Sequence, residues 1–405
     1  MRFKLENVKL KGAPLSFLRE EKVPVKTLES FFYEYFLKNR NLESFKGGDS
    51  LFIDDMIGGI MEAQKIKPSA PLRFGWGLLT ECNSKCIHCI AGDALKRKKR
   101  TNLNEIEYIL QQINELSPIT VILTGGEPLL LEYIYTILKK LKENNFVVHL
   151  LSNGYTLTER NSERIGDTKV DLVQISLDAA DPIIFRKQRG VDCFEKVTEG
   201  IKYLVMNGVR VRLNFTATHV NLNQISFVYD LALKIGVSEL NFNPVIPLGK
   251  GENLISKFDY KKYVYEIIKV YYKHLEIKPS LILTFSLPVE FFYLIYELIP
   301  QKDIENFKIE PLIYMYDENT SLSCNEIGDI RPGSSLEDKD FIIGNVYKES
   351  LRKIWRKNKV WFRRLHSTKC EFCKFLFFCR GGNPGVTYRI KKTIHAPYPY
   401  CPIKW

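Results

Sequence analysis

Between residues 72 and 243 short apolar runs recur at intervals of roughly thirty residues, the length of one strand–helix–strand unit. The runs are 72–79, 119–123, 147–151, 172–177, 209–215 and 239–243. Helix-periodic stretches separate several of them: 104–116, 130–141, 194–206 and 222–235, the last two halted by Gly208 and Gly236. Strands alternating with helices in this way predict a parallel sheet with right-handed crossovers, either a barrel or an open sheet. In such a sheet the active site is expected at the C-terminal ends of the strands.

The chemistry-bearing strings fall at those ends. CNSKCIHC, with Cys82, Cys86 and Cys89, follows the first run, and GGEP, with Gly125, Gly126 and Glu127, follows the second. Ser152–Asn153, then Ser176 and Asp178, then the string NFNP from Asn241 follow later runs. Three thiolates can hold three corners of a cubane iron–sulfur cluster and leave the fourth iron open to something that is not protein. A structural zinc site wants a fourth protein ligand. His88, inside the triplet, could hardly close that tetrahedron.

The CxxxCxxC string with GGEP after the second strand resembles the radical S-adenosylmethionine (SAM) superfamily. The resemblance implies an α/β fold, a partial (β/α)6 TIM-like barrel, here with a small C-terminal iron–sulfur domain. It implies that one electron passes through an open [4Fe-4S] cluster on Cys82, Cys86 and Cys89 to bound SAM, giving a 5′-deoxyadenosyl radical that removes hydrogen from substrate. It also implies a SAM site. Gly125 and Gly126 would bring backbone close to the ligand, with the Glu127 carboxylate beside its ammonium end. Ser152 and Asn153 would stand at the rim, and Ser176 and Asp178 near the ribose or methionine carboxylate. Arg186 is a candidate partner for that carboxylate, with Lys187 and Arg189 equally near. Asn214 would meet the sugar, Val245 and Ile246 the adenine, and His88 would cover cluster or adenine.

Near the C-terminus stand Cys370, Cys373, Cys379 and Cys401, four soft ligands of the kind that select zinc or iron–sulfur. Their spacing resembles the SPASM domain of many radical SAM enzymes, which implies that these four ligate an outer auxiliary [4Fe-4S] cluster. Two positions where that family carries further cysteines are Gly333 and Asn383 here, and Cys324 alone remains in its neighbourhood. The expectation is two clusters, one open and one fully ligated, with no inner auxiliary cluster. Cys324 reads as a packed core thiol or as a hydrogen-atom donor to a product radical. Cys193, before a helix, reads as structural.

The expected organisation is an N-terminal extension of mixed helix and strand (1–70), the barrel (71–256), a helical bridge (257–309) and the SPASM-like domain (310–405). No apolar run has the length of a membrane span or a signal peptide, and nine cysteines, seven of them in two metal-type groups, suit the cytoplasm. Lys and Arg total 59 against 47 Asp and Glu. Basic residues concentrate at 96–100 (KRKKR) and at 352–380, where Glu371 is the single acid. Such a field attracts anionic partners, here an acidic leader peptide, a carboxylate-rich small molecule or a flavodoxin- or ferredoxin-type electron donor. Nothing resembles a nucleic-acid-binding module. The leading expectation is a maturase acting on a ribosomally made peptide or protein. The alternative is tetrapyrrole or cofactor biosynthesis on an anionic small molecule, since the spelling around the cysteines also resembles enzymes that trim carboxylates from tetrapyrroles. A long open groove would favour the peptide and a deep basic pocket the small molecule.

Overall fold

A computed structural model describes residues 70–285, 321–333, 336, 338–358, 370 and 382–401. The N-terminal extension up to residue 69, the part of the expected helical bridge at 286–309, Cys373, Cys379 and most of the basic stretch 352–380 lie outside the described residues.

All six strand expectations are met: β1 (Arg73–Gly77), β2 (Thr120–Thr124), β3 (Val147–Ser152), β4 (Leu172–Ser176), β5 (Val211–Ala217) and β6 (Glu239–Pro244). They pair in sequence order, every pair parallel. The helices between them are α1 (Leu103–Leu116), α2 (Ile134–Glu143), α3 (Glu159–Asp167), α4 (Pro182–Arg189), α5 (Phe194–Met206) and α6 (Ile225–Ile235). Local chemistry starts several of them. Asn102 and Glu105 form a reciprocal capping box on α1, Thr158 caps α3, and Asp181 caps α4 with Pro182 at its first turn. The apolar stripe of α1 (Ile106, Ile109, Ile113, Leu116) is buried, each side chain contributing about 1.5–3 kcal/mol.

The sheet continues beyond six strands at both edges. After α7 (Tyr260–Ile277) the chain forms β7 (Ile282–Phe285), parallel to β6. The stretch expected to be a helical bridge therefore adds a strand to the barrel sheet. On the other side β8 (Ser321–Cys324) lies parallel to β1, and β9 (Asp329–Pro332) and β10 (Gly344–Asn345) follow antiparallel. Among the described residues the order β10-β9-β8-β1-β2-β3-β4-β5-β6-β7 leaves β10 and β7 as the two edges. Residues expected in the C-terminal domain thus extend the same sheet. Further on, α8 (Leu351–Lys357) docks on α1, where the Leu351 N–H donates to the Gln112 side chain at 3.1 Å. Then α9 (Pro384–Lys391) brings Val386 and, beyond it, Tyr398 against Leu248 of the loop after β6.

Strand period places the cavity. On β1, Phe74 and Trp76 are buried in the core while Arg73, Gly75 and Gly77 line a space on the other face. No described helix is long and apolar enough to cross a membrane.

Candidate active site

The loop after β1 carries Cys82, Cys86 and Cys89, all partly buried. Three other parts of the chain clamp it through backbone hydrogen bonds. The N–H groups of Gly126 and Glu127 donate to Leu79 O at 2.6 Å and Glu81 O at 2.8 Å. Lys85 N–H reaches Arg189 O at 2.9 Å, and Ile87 N–H reaches Gln188 O at 3.1 Å. Lys250 N–H, after β6, reaches Cys89 O at 3.0 Å. The two glycines of GGEP are used first on the chain itself. A Cβ on Gly126 would lie 2.0 Å from Glu81 O, and one on Gly125, where φ is +138°, would lie 2.5 Å from Leu79 O.

Glu127 is buried and accepts three hydrogen bonds, from Ser152 Oγ at 2.7 Å, Asn153 N–H at 2.6 Å and Leu129 N–H at 3.0 Å. Burial raises its pKa, and these donors act against that rise. The carboxylate thus braces the loop after β3. Asn153 in turn directs its side-chain N–H to Asn83 Oδ1 at 2.7 Å and lies 3.7 Å from Cys82 Sγ.

Asp178 lies inside the protein rather than at the rim. Its carboxylate accepts from Arg189 Nη1 at 3.0 Å and from Thr216 N–H at 2.8 Å, and His88 Nε2 lies 3.6 Å away. Gln188 links His88 Nδ1, at 3.1 Å, to Thr216 O, at 3.0 Å. Burial lowers the His88 pKa to about 4, so the ring is neutral near pH 7, held in a hydrogen-bonded seat beneath the cysteine loop. Arg186, expected as a partner of the ligand carboxylate, lies at the surface. Its side chain is 68% exposed and faces Asp192, whereas that of Arg189 is 7% exposed and paired with Asp178. The buried partner of this network is Arg189, next to the Gly190 that ends α4. Sequence spacing could not separate two arginines three residues apart.

Asn214 belongs to a set of three asparagines. It accepts from Asn241 and Asn243 at 3.1 and 2.7 Å. Ser176, on β4, is the register partner of Asn214. Val245 is buried and donates its N–H to Ala217 O at 2.8 Å, while Ile246 packs on the Leu248 cluster. Cys193 is buried at the start of α5.

A cavity of about 570 Å³ opens along the inner face of the sheet. Cys89, Gly125 and Gly126 lie on its wall toward the C-terminal strand ends, and Arg73, Arg212 and His149 lie deeper along the strands. Cys324, 3% exposed, borders the same space, but as the register partner of Trp76 its side chain packs in the core, where burial keeps the thiol protonated. The wall carries Arg73, Arg97, Arg212 and Arg331, and a single carboxylate, Glu326. Arg97 Nε holds Glu326 at 2.7 Å, and Arg212 Nε holds the buried Glu239 at 2.6 Å. Sequence reasoning missed this lining. The available signal was the position of Arg73, His149 and Arg212 inside otherwise apolar strands.

The expected basic surface is partly neutralised within the chain. In the 96–100 string, Arg97 pairs with Glu326, Lys99 with Glu105 and Arg100 in two-pronged fashion with Glu81. Of the expected auxiliary ligands, Cys370 and Cys401 are partly buried. Asn383 caps α9 by accepting from Val386 N–H at 3.0 Å, a turn-forming role in place of metal ligation.

The donor set around the cysteine loop fits a cluster. It offers three soft thiols in one clamped loop and an amide directed at one sulfur; burial raises the pKa of Cys82 and of Cys86, the latter to about 11, and the buried cation Arg189 acts against that rise. The profile of the Radical SAM superfamily matches residues 78–231, which hold this loop, GGEP and the Asp178 network. The AdoMet-dependent heme synthase of Methanosarcina barkeri is 23% identical over 351 residues, covering 82% of this chain and 97% of that enzyme. A probable GTP 3',8-cyclase of Sulfurisphaera tokodaii is 29% identical over 199 residues, 49% of this chain and 63% of that protein. Among solved structures, Streptococcus suis SuiB bound to S-adenosylmethionine shares the fold, with a TM-score of 0.69 at 17% identity over 96% of this chain and 89% of its own. With its cysteine loop, glycine clamp and parallel sheet, the chain carries a Radical SAM superfamily domain over residues 78–231 and is a radical SAM enzyme.

Proposed function

We propose that this enzyme modifies a multiply anionic small molecule held in the cavity inside the sheet. The observation that carries the reading is a cavity of about 570 Å³ walled by four arginines, of which Arg97 and Arg212 are held by Glu326 and Glu239 while Arg331 keeps a buried Nε without a partner. That volume is of the size that encloses small molecules. Relatives aligned along nearly their whole length support the same class. They include the M. barkeri heme synthase and an Fe-coproporphyrin III synthase from the same organism.

Cys82, Cys86 and Cys89 would hold the [4Fe-4S] cluster, and Gly125, Gly126, Glu127 and Asn214 would stand nearest to SAM. When bound, this pair supplies a carbon-centred radical able to remove hydrogen from an unactivated carbon. The chain's own part is to fix the loop, exclude water and orient the substrate. Cys324 is the register partner of the core residue Trp76 and packs in the same buried cluster, which favours a packed thiol over a hydrogen-atom donor. A flavodoxin- or ferredoxin-type donor would supply the electron. Cys370, Cys373, Cys379 and Cys401 would hold a SPASM-like auxiliary cluster that carries electrons or braces the C-terminal segment.

A peptide substrate is the second reading. It is favoured by the sheet of the described residues, whose first and last strands, β10 and β7, do not pair with each other. SuiB, which shares the fold, has been solved with its precursor peptide SuiA. Formation of 5′-deoxyadenosine by the reconstituted, reduced enzyme separates the two. Iron coproporphyrin III should stimulate it and an Asp/Glu-rich peptide should not, and the opposite pattern would replace the small molecule with the peptide.

A further inference from the structure

Opposite the cysteine loop, the wall formed by β8 and β9 is built to receive something. Ser321 and Ser323 project to one face of β8, and both line the cavity. Arg73 on β1 is the register partner of Ser321, and Arg331 on β9 is that of Ser323. All four side chains therefore meet the same space. The Ser321 hydroxyl is buried without a hydrogen-bond partner, in a residue only 3% exposed, and Arg331 Nε is likewise buried and unpartnered. Buried donors without acceptors are rare in native proteins and point to a missing partner. Glu326 on the same wall is already held by Arg97. Gly333, where the SPASM resemblance expected a cysteine, lines the cavity beside them, its N–H on Ser321 O at 3.1 Å.

We infer that Ser321 and Arg331, with Ser323 and Arg73 beside them, form a subsite that binds a carboxylate of the substrate. The inference rests on the small-molecule reading above and adds the place and the residues. A guanidinium fork matches the two oxygens of a carboxylate, and an adjacent hydroxyl supplies a further donor. The subsite sits toward the N-terminal ends of β1 and β8, whereas the cysteine loop follows the C-terminal end of β1. The intervening strand length implies a carboxylate on the order of 10 Å from the reacting carbon.

Equilibrium dialysis of the full, anaerobically reconstituted chain with SAM tests this, using coproporphyrin III, its tetramethyl ester and an Asp/Glu-rich peptide as probes. Arg331→Gln should weaken coproporphyrin III binding about tenfold or more and Ser321→Ala about threefold, with Arg331→Lys between wild type and Arg331→Gln. The ester, lacking carboxylates, should bind all forms alike. Ser321→Ala removes a group with no internal partner, so its fold should survive, and iron content checks this. Equal binding of coproporphyrin III to wild type and variants would overturn the subsite and leave the small-molecule reading standing. Failure to bind coproporphyrin III, with peptide binding that depends on Arg331, would keep the subsite and remove the small-molecule reading. Binding of neither would remove both.

Discussion

The two ends of the cavity are built on opposite principles. Around the cysteine loop polar groups find partners within the chain. Glu127 accepts three hydrogen bonds, Asp178 is shared by Arg189 and Thr216, and Gln188 bridges His88 to β5. At the β8–β9 wall, Ser321 and Arg331 keep buried donors without acceptors. The first arrangement fixes ligands before anything binds, as a reactive centre requires. The second leaves stabilisation to be supplied by substrate. Rigidity and incompleteness therefore mark two different jobs in one cavity.

The largest expected effect lies at the fixed end. Gly126→Ala puts a methyl group 2.0 Å from Glu81 O, a backbone atom that cannot swing away. Its cost should exceed the ~1–3 kcal/mol of ordinary overpacking, and soluble yield and iron per chain should both collapse. Gly208→Ala is the control. Its φ is +69° but nothing lies within 4 Å of an added Cβ, so it should cost about 1 kcal/mol and keep its iron. Equal behaviour of the two would deny that GGEP works by close approach.

Next in size is Arg189→Met, which leaves the buried Asp178 carboxylate without its cation. A loss of about 3–5 kcal/mol is expected in chemical denaturation, whereas Arg186→Met, at the exposed neighbour, should change stability by less than about 0.5 kcal/mol.

A smaller effect concerns pH. Burial, then Arg212 and Arg73, hold the His149 pKa well below its ordinary value, so the folded protein keeps this ring neutral. The unfolded chain takes up the proton below about pH 6.5. The contribution to stability is therefore full above that pH and lost as pH falls, at up to ~1.4 kcal/mol per pH unit. His149→Gln should flatten the difference between denaturation midpoints at pH 7.5 and 5.5. An unchanged slope would show that His149 is not the titrating group.

How much of this was legible beforehand follows the physics of each element. Strands β1 to β6 and helices α1, α5 and α6 carry apolar patterns strong enough to read alone. Helix α3 buries only Ser162 and Ile165, so it has no stripe to detect. Strands β7 and β8 are four residues long and owe their existence to partners distant in sequence. The cysteine loop and GGEP were legible because their chemistry demands residue types at fixed spacing. The receiving wall was not, since Ser321 and Arg331 mean something only once β8 and β9 set them beside β1.

The smallest effect is at Cys324. Cys324→Ala should cost only ~1 kcal/mol as a small buried group. Turnover in deuterated solvent reads its chemical part, because an exchangeable thiol donor leaves deuterium in the product. A wild-type product without deuterium would retire the donor role.

The central claim is that substrate sits inside the sheet, along the face shared by both ends, and Gly75 tests it most directly. Its nearest neighbours to an added Cβ lie at 3.8 and 3.9 Å, and it lines the cavity, so Gly75→Leu fills the space without a backbone clash. The measurement is the dissociation constant for coproporphyrin III, with iron content determined on the same sample. An increase of about tenfold or more at unchanged iron is the expected result. Unchanged affinity in a variant with full iron would place the substrate elsewhere and contradict the account.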